Sequence, residues 1–333
     1  MSQIGGGFLV GVLVLGVAAP ALGADKVRFK TDFSIVEYHA PFFAGVARGV
    51  FKQHGLELEI VPGTGSQVAV MDTAAEKTDF AMADMSLVAL AALNANVRNV
   101  MAVGAVFEVT PYTLLYLKNR GIKEPRDLNG KTMANFTGNT GGALFKIFAR
   151  RTGVDVASIK EIVSAPAAYH NPLIVGQADF APTTVNRLPT LAGAARQAGN
   201  ELAEFRFADF GLDFAGHALL ANVKTIEQRP DVVRRFVQAT LESLQWSARN
   251  PEQAVDLLIQ ANPHLKREPT LAGFTAVLEA CIPRGRTASN ALSLGWFDNG
   301  RIQKTVDVVR EAFALTQTVE PGTLYTNAYV AKP

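Results

Sequence analysis

The segment from Val27 to Ser66 constrains the fold most, because it fits one complete unit of an open α/β sheet. A short strand (Val27–Lys30) is followed by a polar and aromatic loop, a helix (Ala40–Gln53), a glycine stop and a second strand (Leu56–Val61). The run Gly63-Thr64-Gly65-Ser66 then turns the chain into another helix. In open α/β sheets, loops leaving the carboxyl ends of strands form the ligand crevice. The segment therefore predicts a binding cleft made of loops and helix N-termini.

The alternation of strands and helices continues to about residue 225, after which the pattern is helical. Further strands are expected at Phe80–Ala83, Val100–Glu108, Thr113–Lys118, Lys131–Ala134, Ile159–Val163, Phe180–Pro182 and His217–Asn222. Further helices are expected at Ser66–Lys77, Ser86–Asn94, Gly142–Thr152, Tyr169–Gly176, Arg187–Gly199, Pro230–Arg249, Pro251–Gln260, Pro269–Ala280 and Gly300–Ala314. This order indicates an α/β fold with mainly parallel sheets and helices on both faces.

Chain length predicts two lobes. With 333 residues, 48% of them hydrophobic and 19% charged, the chain can bury two ordinary cores. The strand-rich stretches Phe107–Tyr116 and Phe214–Leu220 are the expected crossings between the lobes. The first lobe would comprise 24–111 plus 217–333, and the second would be the insert 112–216. Two crossings form a hinge on which a lobe can swing as a rigid body, which suits capture of a small molecule.

The first 23 residues are expected to be a signal peptide. Phe8–Ala19 is apolar, and small residues surround a plausible cleavage site between Gly23 and Ala24, although no Lys or Arg precedes the apolar run. The single cysteine, Cys281, leaves no disulfide, and no cysteine at the cleavage site could carry a lipid anchor. A net charge of +2 without a basic run does not indicate a nucleic-acid partner. We expect an exported periplasmic protein.

A series of short motifs runs along the whole mature chain. They are His39-Ala40-Pro41-Phe42-Phe43-Ala44, Thr78–Asp84, Asp127–Thr132, Gly176–Ala181, Arg229–Phe236 and Tyr325–Val330. Together they resemble the NMT1/THI5-like (SsuA/THI5) family of substrate-binding proteins of ABC importers. The resemblance implies a two-lobe periplasmic binding protein fold of type II, which closes like a Venus flytrap. It also implies a small-molecule ligand, a permease partner in the inner membrane and a monomeric protein.

The loop after the first strand contains the first candidate ligand residues. Asp32, Phe33 and Tyr38 lie in this loop, off the apolar face of the following helix. An aromatic ring here could stack on a planar ligand, contributing about 1–3 kcal/mol when its face is fully covered. His39 either donates to a ligand or helps to cap the helix that begins beside it.

Two further loops of the first lobe have both a capping and a ligand-binding interpretation. Thr64, Gly65 and Ser66 could present N–H groups and hydroxyls to an anion or carbonyl, or could simply cap the next helix. Asp84 could accept a hydrogen bond from a ligand amine, or could be the N-cap of the helix that contains Ser86. The residues alone leave both interpretations open.

The second lobe supplies the facing half of the predicted site. Its glycine-rich loop contributes Phe136, Thr137, Asn139 and Thr140, and the end of a later strand contributes Thr183, Thr184, Asn186 and Arg187. Arg187 would bind a carboxylate or sulfonate through paired N–H donors, or would remain solvated. Tyr112 and Phe214 are expected to line the hinge floor.

The residues give little support for catalysis. None of the five histidines has metal-ligand spacing, and no nucleophile-elbow or phosphate-loop motif occurs. We therefore expect a binding protein without a cofactor, whose solute is a planar nitrogen heterocycle, such as a thiamine-pyrimidine or flavin precursor, or a sulfonate or other organic anion. The resemblance also implies two alternatives. A THI5-like pyrimidine precursor synthase uses an active-site histidine, for which His39 falls at a matching place, and a cysteine-rich iron motif, which Cys281 alone cannot form. A ligand-sensing partner of a membrane receptor would use the same cleft.

Overall fold

Two five-stranded sheets organise the computed structural model, which describes residues 23–333. The strands are Asp25–Lys30 (β1), Leu56–Val61 (β2), Phe80–Asp84 (β3), Val100–Ala105 (β4), Tyr112–Leu117 (β5), Thr132–Asn135 (β6), Lys160–Val163 (β7), Phe180–Thr184 (β8), Leu202–Arg206 (β9) and His217–Asn222 (β10). The first sheet has the order β2-β1-β3-β10-β4, and the second has the order β7-β6-β8-β5-β9. Apart from Gly23, the predicted signal peptide lies outside the described residues.

Each sheet is mainly parallel and contains a single reversed strand. In the first sheet, β10 pairs antiparallel with both β3 and β4, while β1 pairs parallel with β2 and β3. In the second sheet, β5 pairs antiparallel with β8 and β9, while β6 pairs parallel with β7 and β8. The predicted α/β class with mainly parallel sheets is confirmed.

The helices cover these sheets and fill the C-terminal part of the chain. They are Ala40–Ala47 (α1), Val50–Gln53 (α2), Ser66–Ala74 (α3), Met85–Asn94 (α4), Thr140–Thr152 (α5), Asn171–Ile174 (α6), Arg187–Gln197 (α7), Val223–Gln228 (α8), Pro230–Arg249 (α9), Pro251–Ala261 (α10), Arg267–Cys281 (α11) and Asn299–Ala312 (α12). None of these helices, within residues 23–333, combines the length and the apolar character that a membrane span requires.

The core of the first sheet depends on the apolar face of α9. Phe236 is fully buried and stacks on Phe80 of β3, with the ring centroids 4.0 Å apart. Val233 and Val237, three residues before it and one after, are buried in the same core because they share this face of the helix. Cys281, at the end of α11, is buried there as well, as a small apolar side chain.

The strand expected over Val100–Glu108 ends at Ala105, and the helix expected over Tyr169–Gly176 covers only Asn171–Ile174. Three further differences change the number of elements. The single helix expected over 40–53 is two helices, because Gly49 adopts a φ of 73° between α1 and α2. Strand β9 was not expected, since its mixed polar and apolar residues occupy a sheet edge with only one neighbouring strand. Helix α8 was also not expected; the Asn222 side chain caps it by accepting from the Lys224 N–H.

Two segments, 106–111 and 207–216, connect the sheets and run side by side. The N–H groups of Val106 and Phe107 donate to the His217 carbonyl at 2.8 and 2.9 Å, and the Thr110 N–H donates to the Phe214 carbonyl at 2.9 Å. Gly216 permits this approach, because a Cβ on it would lie 2.6 Å from the Phe107 Cβ. The reversed strands β5 and β10 each begin directly after one of these crossings.

The close approach at Gly216 predicts that adding a single methyl group there lowers the stability of the protein measurably. Gly216→Ala should lower the free energy of unfolding in urea by about 1–3 kcal/mol, because the first crossing cannot move away without breaking its hydrogen bonds. Gly193→Ala in α7 is the control: its Cβ would meet no atom within 4 Å, and alanine should stabilise the helix by about 0.5–1 kcal/mol. Unchanged stability of Gly216→Ala would contradict the close packing of the crossings.

Candidate functional site

Polar side chains from the two sheets meet in a cleft between them, which we call the central cleft. The first sheet and its loops contribute Asp32, Glu37, Tyr38, His39, Asp84 and His217, and the second contributes Tyr112, Thr140, Asn186 and Arg187. The Asn186 amide N–H donates across the cleft to the Glu37 carboxylate. Beside the cleft, α11 packs against α7 and α12 packs against α5. The two halves are therefore in contact.

Reversal of β5 and β10 explains how this cleft is built. In a parallel sheet the carboxyl ends of the strands share one edge, and a reversed strand presents its first residue at that same edge. His217 begins β10 and lies opposite Asp84, the last residue of β3. Tyr112 begins β5 and lies opposite Thr184 at the end of β8.

Asp32 is the centre of a buried hydrogen-bond network in the first half of the cleft. Its side chain is almost completely buried and accepts from three donors: Nε2 of His39 at 2.8 Å, the Tyr38 hydroxyl at 3.0 Å and Nε2 of His217 at 3.2 Å. The Val36 N–H donates to Nδ1 of His39 at 3.1 Å. That contact makes Nδ1 an acceptor, so His39 donates to Asp32 through Nε2.

Electrostatics make Asp32 and His217 a buried ion pair. Burial raises the pKa of Asp32, but the charge of His217 and hydrogen bonds from both histidines hold the pKa well below the ordinary 3.8. Burial lowers the pKa of His217, yet its hydrogen bond to Asp32 and the charges of Asp32 and Asp84 leave it above 6.5. Both oxygens of Asp32 are bonded within the protein, which makes Asp32 an anchor for the loop.

Asp84 caps a helix and also keeps one oxygen free of protein partners. Its Oδ1 accepts from the Ser86 N–H at 2.7 Å at the start of α4. Its Oδ2 and the Ser86 hydroxyl are buried and have no hydrogen-bond partner among the described residues. The Tyr112 hydroxyl is near enough to Asp84 to affect its pKa, without hydrogen-bond geometry. The capping and ligand-binding interpretations of Asp84 are therefore compatible, because they use different oxygens.

Burial is the largest influence on the pKa values of Asp84 and Tyr112. It raises the pKa of Asp84, against the opposing charge of His217 and hydrogen bonding from Ser86. Burial also raises the pKa of the Tyr112 phenol, and the charge of Asp84 raises it further. Few hydrogen bonds and opposite charges offset the burial of Asp84. Keeping its carboxylate ionised inside the protein is therefore costly.

In the second half of the cleft, most polar groups are bonded within the protein. Asn139 caps α5 by accepting from the Gly141 N–H at 3.0 Å. Thr183 lies 3.0 Å from the Tyr169 hydroxyl and 3.0 Å from Nε2 of His170. Burial, together with the charge of Arg187, lowers the pKa of His170 to about 3, so this ring is neutral at ordinary pH.

Two neighbours at the start of α7 have free bonding capacity. The Oδ1 of Asn186, a residue only 1% exposed, has no hydrogen-bond partner among residues 23–333. The side chain of the half-buried Arg187 makes no hydrogen bond or ion pair within the same range. Burial raises the pKa of Tyr38 in the first half and of Tyr169 in the second, and the charge of Arg187 opposes both rises, so Arg187 lies within electrostatic range of both.

The remaining predicted site residues range from exposed to completely buried. Phe33 is 44% exposed, and Thr64 and Thr137 are exposed as well. Phe136 packs on Tyr169, with ring centroids 4.8 Å apart. Phe214 is completely buried in the core of the second sheet, with its ring centroid 6.4 Å from that of Tyr112.

The glycine-rich turn after β2 supports Asp84. Gly65 has a φ of 143°, which favours glycine at the turn into α3. The Ser66 hydroxyl that follows accepts from the Asp84 N–H at 3.1 Å. This turn thereby helps to fix the position of the Asp84 carboxylate.

Sequence reasoning missed four residues of the cleft walls: Glu37, Phe107, Tyr169 and His217. The ring of Phe107 lies 4.7 Å from that of His217 and 5.6 Å, edge-on, from that of Tyr38. The signal for His217 was a polar residue directly after Gly216, at the start of a strand that follows a crossing. Its role becomes visible only once that strand is known to be reversed.

A separate cavity of about 310 Å³ lies beside the crossings. Its charged side chains are already engaged: Nε of Arg284 donates to Glu108 at 2.8 Å, and Arg301 donates to the Glu108 carbonyl at 2.9 Å. Four of the seven buried side-chain atoms that lack partners in the described part of the chain lie at the central cleft, on Asp84, Ser86, Asn186 and His217. Among residues 23–333, no group of three or more histidine, cysteine or carboxylate side chains could hold a metal ion.

A protein-family model described as NMT1/THI5 like matches residues 36–254. Among similar curated proteins, a 4-amino-5-hydroxymethyl-2-methylpyrimidine phosphate synthase of Legionella pneumophila is 25% identical and is aligned over 92% of each chain. A formylaminopyrimidine-binding protein of Halalkalibacterium halodurans is 22% identical over 77% of each chain. The riboflavin-binding protein RibY of Chloroflexus aurantiacus is 22% identical over 94% of this chain and 89% of its own length.

Solved structures share the fold at lower identity. The periplasmic aliphatic sulphonate binding protein SsuA of Escherichia coli superposes with a TM-score of 0.67 at 16% identity, covering 93% of this chain and 92% of its own. The desulfurization enzyme DSZB superposes with a TM-score of 0.61 at 14% identity, covering 92% and 97%. The periplasmic-binding-protein architecture is thereby established, and it occurs in both binding proteins and an enzyme.

The raised pKa of Asp84 predicts an unusual dependence of stability on pH. Wild-type stability should fall as the pH rises from about 4 through the raised pKa, by about 1.4 kcal/mol for each unit by which that pKa is raised. Asp84→Asn keeps the capping oxygen and cannot ionise, so this loss should disappear. Urea titrations from pH 4 to pH 8 would measure it. The two proteins should be compared by the slope of their unfolding free energy against pH. The absolute values also differ, because burying the introduced amide lowers stability by an amount that does not vary with pH.

A control of opposite sign is available at Asp127, whose pKa is lowered by hydrogen bonds from the N–H groups of Lys123 and Glu124. Asp127→Asn should remove stability that is present above pH 4 and lost as the pH falls through the lowered pKa, which urea titrations extended down to pH 2 would show. Parallel pH profiles for wild type and Asp84→Asn would contradict a raised pKa at Asp84.

The Asp32–His217 pair predicts a large loss of stability in Asp32→Asn. This substitution leaves the buried imidazolium without its counter-ion, which should cost about 3–5 kcal/mol near pH 6. The loss should shrink as the pH rises through the raised pKa of His217, because the neutral ring needs no counter-ion. Asp25→Asn, which breaks partly exposed ion pairs with Arg235 and Arg229, should cost about 0–1 kcal/mol and change little between pH 6 and pH 9. Equal losses in the two variants would refute a buried ion pair.

Proposed function

Because the chain belongs to the NMT1/THI5-like family, we propose that it is the substrate-binding component of an ABC importer. It is exported to the periplasm, captures a small organic solute and delivers it to a permease in the inner membrane. It does this as a monomer and leaves the solute chemically unchanged. The observation that carries this proposal is the central cleft, where buried polar groups without partners lie between two sheets joined by two crossings.

Capture requires the two halves of the chain to act as lobes. The lobes would be 24–111 plus 217–333 and 112–216, a division that follows the membership of the strands in the two sheets. The crossings would supply the hinge, and the Asn186–Glu37 hydrogen bond would be one of the contacts that close the cleft. Opening would expose these groups to water and allow the solute to enter.

The walls and polar groups of the cleft suit a small planar solute. Tyr38 and Phe107 could contact one face of a ring, which is worth about 0.5–1.5 kcal/mol beyond area burial. Hydrogen bonds to charged groups add about 1.5–3 kcal/mol each. A micromolar affinity needs about −8 kcal/mol in total, which a few such contacts can provide after the costs of closure. Two of the relatives are a formylaminopyrimidine-binding protein and a riboflavin-binding protein, and the ring systems of both solutes are planar nitrogen heterocycles.

The second candidate function is a pyrimidine phosphate synthase, which the relative from Legionella pneumophila favours. Three observations count against it. Both ring nitrogens of His39 are engaged, by Val36 and Asp32. Cys281 is completely buried, and burial raises the pKa of its thiol. Metal-holding clusters are lacking among residues 23–333.

A solute screen followed by mass spectrometry tests the proposal. Mature protein should be titrated with pyrimidines, flavins, alkanesulfonates, aromatic acids and amines while its melting temperature is followed. A solute at a hundred times its dissociation constant should add about 2.7 kcal/mol of stability. Small-angle scattering should then detect compaction on binding.

The same experiment separates binding from catalysis. The bound solute should be recovered with its mass unchanged after prolonged incubation. A covalently altered product, or iron that copurifies with activity, would favour the synthase. No stabilisation by any member of the panel, together with an unchanged radius, would contradict a solute-binding role.

A further inference from the structure

We propose that the cavity beside the crossings is a second ligand site, separate from the central cleft, and that it binds a small aromatic carboxylate. Its volume of about 310 Å³ is at the lower end of the range of about 300–1,000 Å³ that is typical of small-molecule sites. Aromatic side chains and two arginines line it together. The inference does not depend on the proposed function, because it concerns a different part of the molecule.

The two arginines of this cavity use only a small part of their hydrogen-bonding capacity. A guanidinium group carries five N–H donors. Arg284 donates from Nε to the Glu108 carboxylate at 2.8 Å, and Arg301 donates from Nη1 to the Glu108 carbonyl at 2.9 Å. The other N–H groups of both guanidinium groups have no hydrogen-bond partner within residues 23–333. A carboxylate can accept two such donors in parallel, which is the geometry that arginine favours.

The acidic groups at the cavity, in contrast, are already bonded. Both carboxylate oxygens of Glu108 accept from Arg284, one from Nε and the other from the backbone N–H at 3.3 Å. Asp298 is exposed, and its Oδ1 caps α12 by accepting from the Arg301 N–H at 2.8 Å. Pro333 is exposed at the rim and forms no ion pair with either arginine in the described part of the chain. The capacity that remains inside the cavity is therefore mainly that of donors, which an anion satisfies.

The aromatic side chains favour a planar ring as the apolar part of the ligand. Phe107 is buried, and Trp296 is half-buried with an indole N–H that has no hydrogen-bond partner among the described residues. Aromatic rings pack favourably on such side chains in offset or edge-to-face arrangements. The first turn of α12, a helix of 14 residues, also borders the cavity, and its positive end favours a carboxylate. A ring that carries a carboxylate therefore suits both the walls and the donors.

The cavity touches both segments that connect the two sheets. Phe107 and Glu108 belong to the first crossing and Ala215 belongs to the second, and all three line the cavity. The ring of Phe107 also lies 4.7 Å from that of His217 in the central cleft. A ligand in the cavity would therefore contact the segments that a hinge rotation moves, and it would share one wall with the cleft.

Fluorescence of Trp296 tests the inference, with benzoate as the probe. The chain has two tryptophans, so Trp246→Phe leaves Trp296 as the sole reporter. Benzoate should change its emission saturably. Benzylamine, a cation of similar shape, and acetate, an anion without a ring, should each bind at least about 10-fold more weakly. Calorimetry on the unsubstituted protein should give the same dissociation constant for benzoate, which controls for the effect of Trp246→Phe.

Two matched arginine variants locate the bound benzoate. Arg301→Gln should weaken its binding by about 10-fold or more, because the substitution removes the charge and most of the free donors. The new side-chain amide can still donate to the Glu108 carbonyl. Arg187→Gln, at the central cleft, should change the titration of Trp296 by less than about 3-fold, because a distant charge is screened.

The opposite results would overturn the inference. If benzoate leaves the emission of Trp296 unchanged, or if benzylamine binds as tightly, the cavity is not a carboxylate site. If Arg187→Gln abolishes the response while Arg301→Gln does not, benzoate binds in the central cleft, and the inference fails without affecting the proposed function. The comparison of the three probes needs no arginine variant, so a folding defect in Arg301→Gln would not leave the inference undecided.

Discussion

The buried carboxylate of Asp32 is the contact on which the geometry of the first half of the cleft depends. It joins the loop after β1 to His217, the first residue after the second crossing, and it also bonds Tyr38 and His39 at the start of α1. Removing a charged group from water is costly, and three donors with one positive partner repay that cost only in a single arrangement. The loop, the helix start and the crossing are therefore positioned together.

Next to this fully hydrogen-bonded network, the cleft contains buried polar atoms that have no hydrogen-bond partner within residues 23–333. Asp84, Ser86, Asn186 and His217 each keep a buried polar atom without a partner among the described residues. Such atoms lower stability, and natural proteins retain them mainly where a ligand or a reaction uses them. Asp32 is therefore fully bonded and organises the first half of the cleft, whereas Asp84 keeps one buried oxygen without a partner in the described part of the chain.

The same fold supports both binding proteins and an enzyme, so the difference between them must lie in individual side chains. In this chain, the histidine that the sequence suggested as an active-site group is buried and bonded through both of its nitrogens. The sole cysteine lies in the apolar core. These placements agree with the proposed transport role.

Local patterns in the sequence determined much of the fold. Strands β2 and β10 and helix α9 begin and end where their apolar periodicity and flanking residues indicated, and Asp84 is the N-cap of α4 as its position before an apolar helix suggested. These features depend on neighbours a few residues away, which the sequence displays directly. The edge strand β9 and the break at Gly49 were missed because one is stabilised by a distant strand and the other by a backbone angle.

Only the tertiary structure decided which side chains share the cleft. The contact between Asp32 and His217 spans 185 residues, and the contact between Glu37 and Asn186 spans 149. The sequence included Asp32 and Asn186 among the candidates, but it could not indicate that one is fully bonded while the other keeps a free oxygen. Strand direction decides which end of a strand lies at the cleft, and chain crossings decide which loops meet; both follow from pairing between distant segments, which no local pattern encodes.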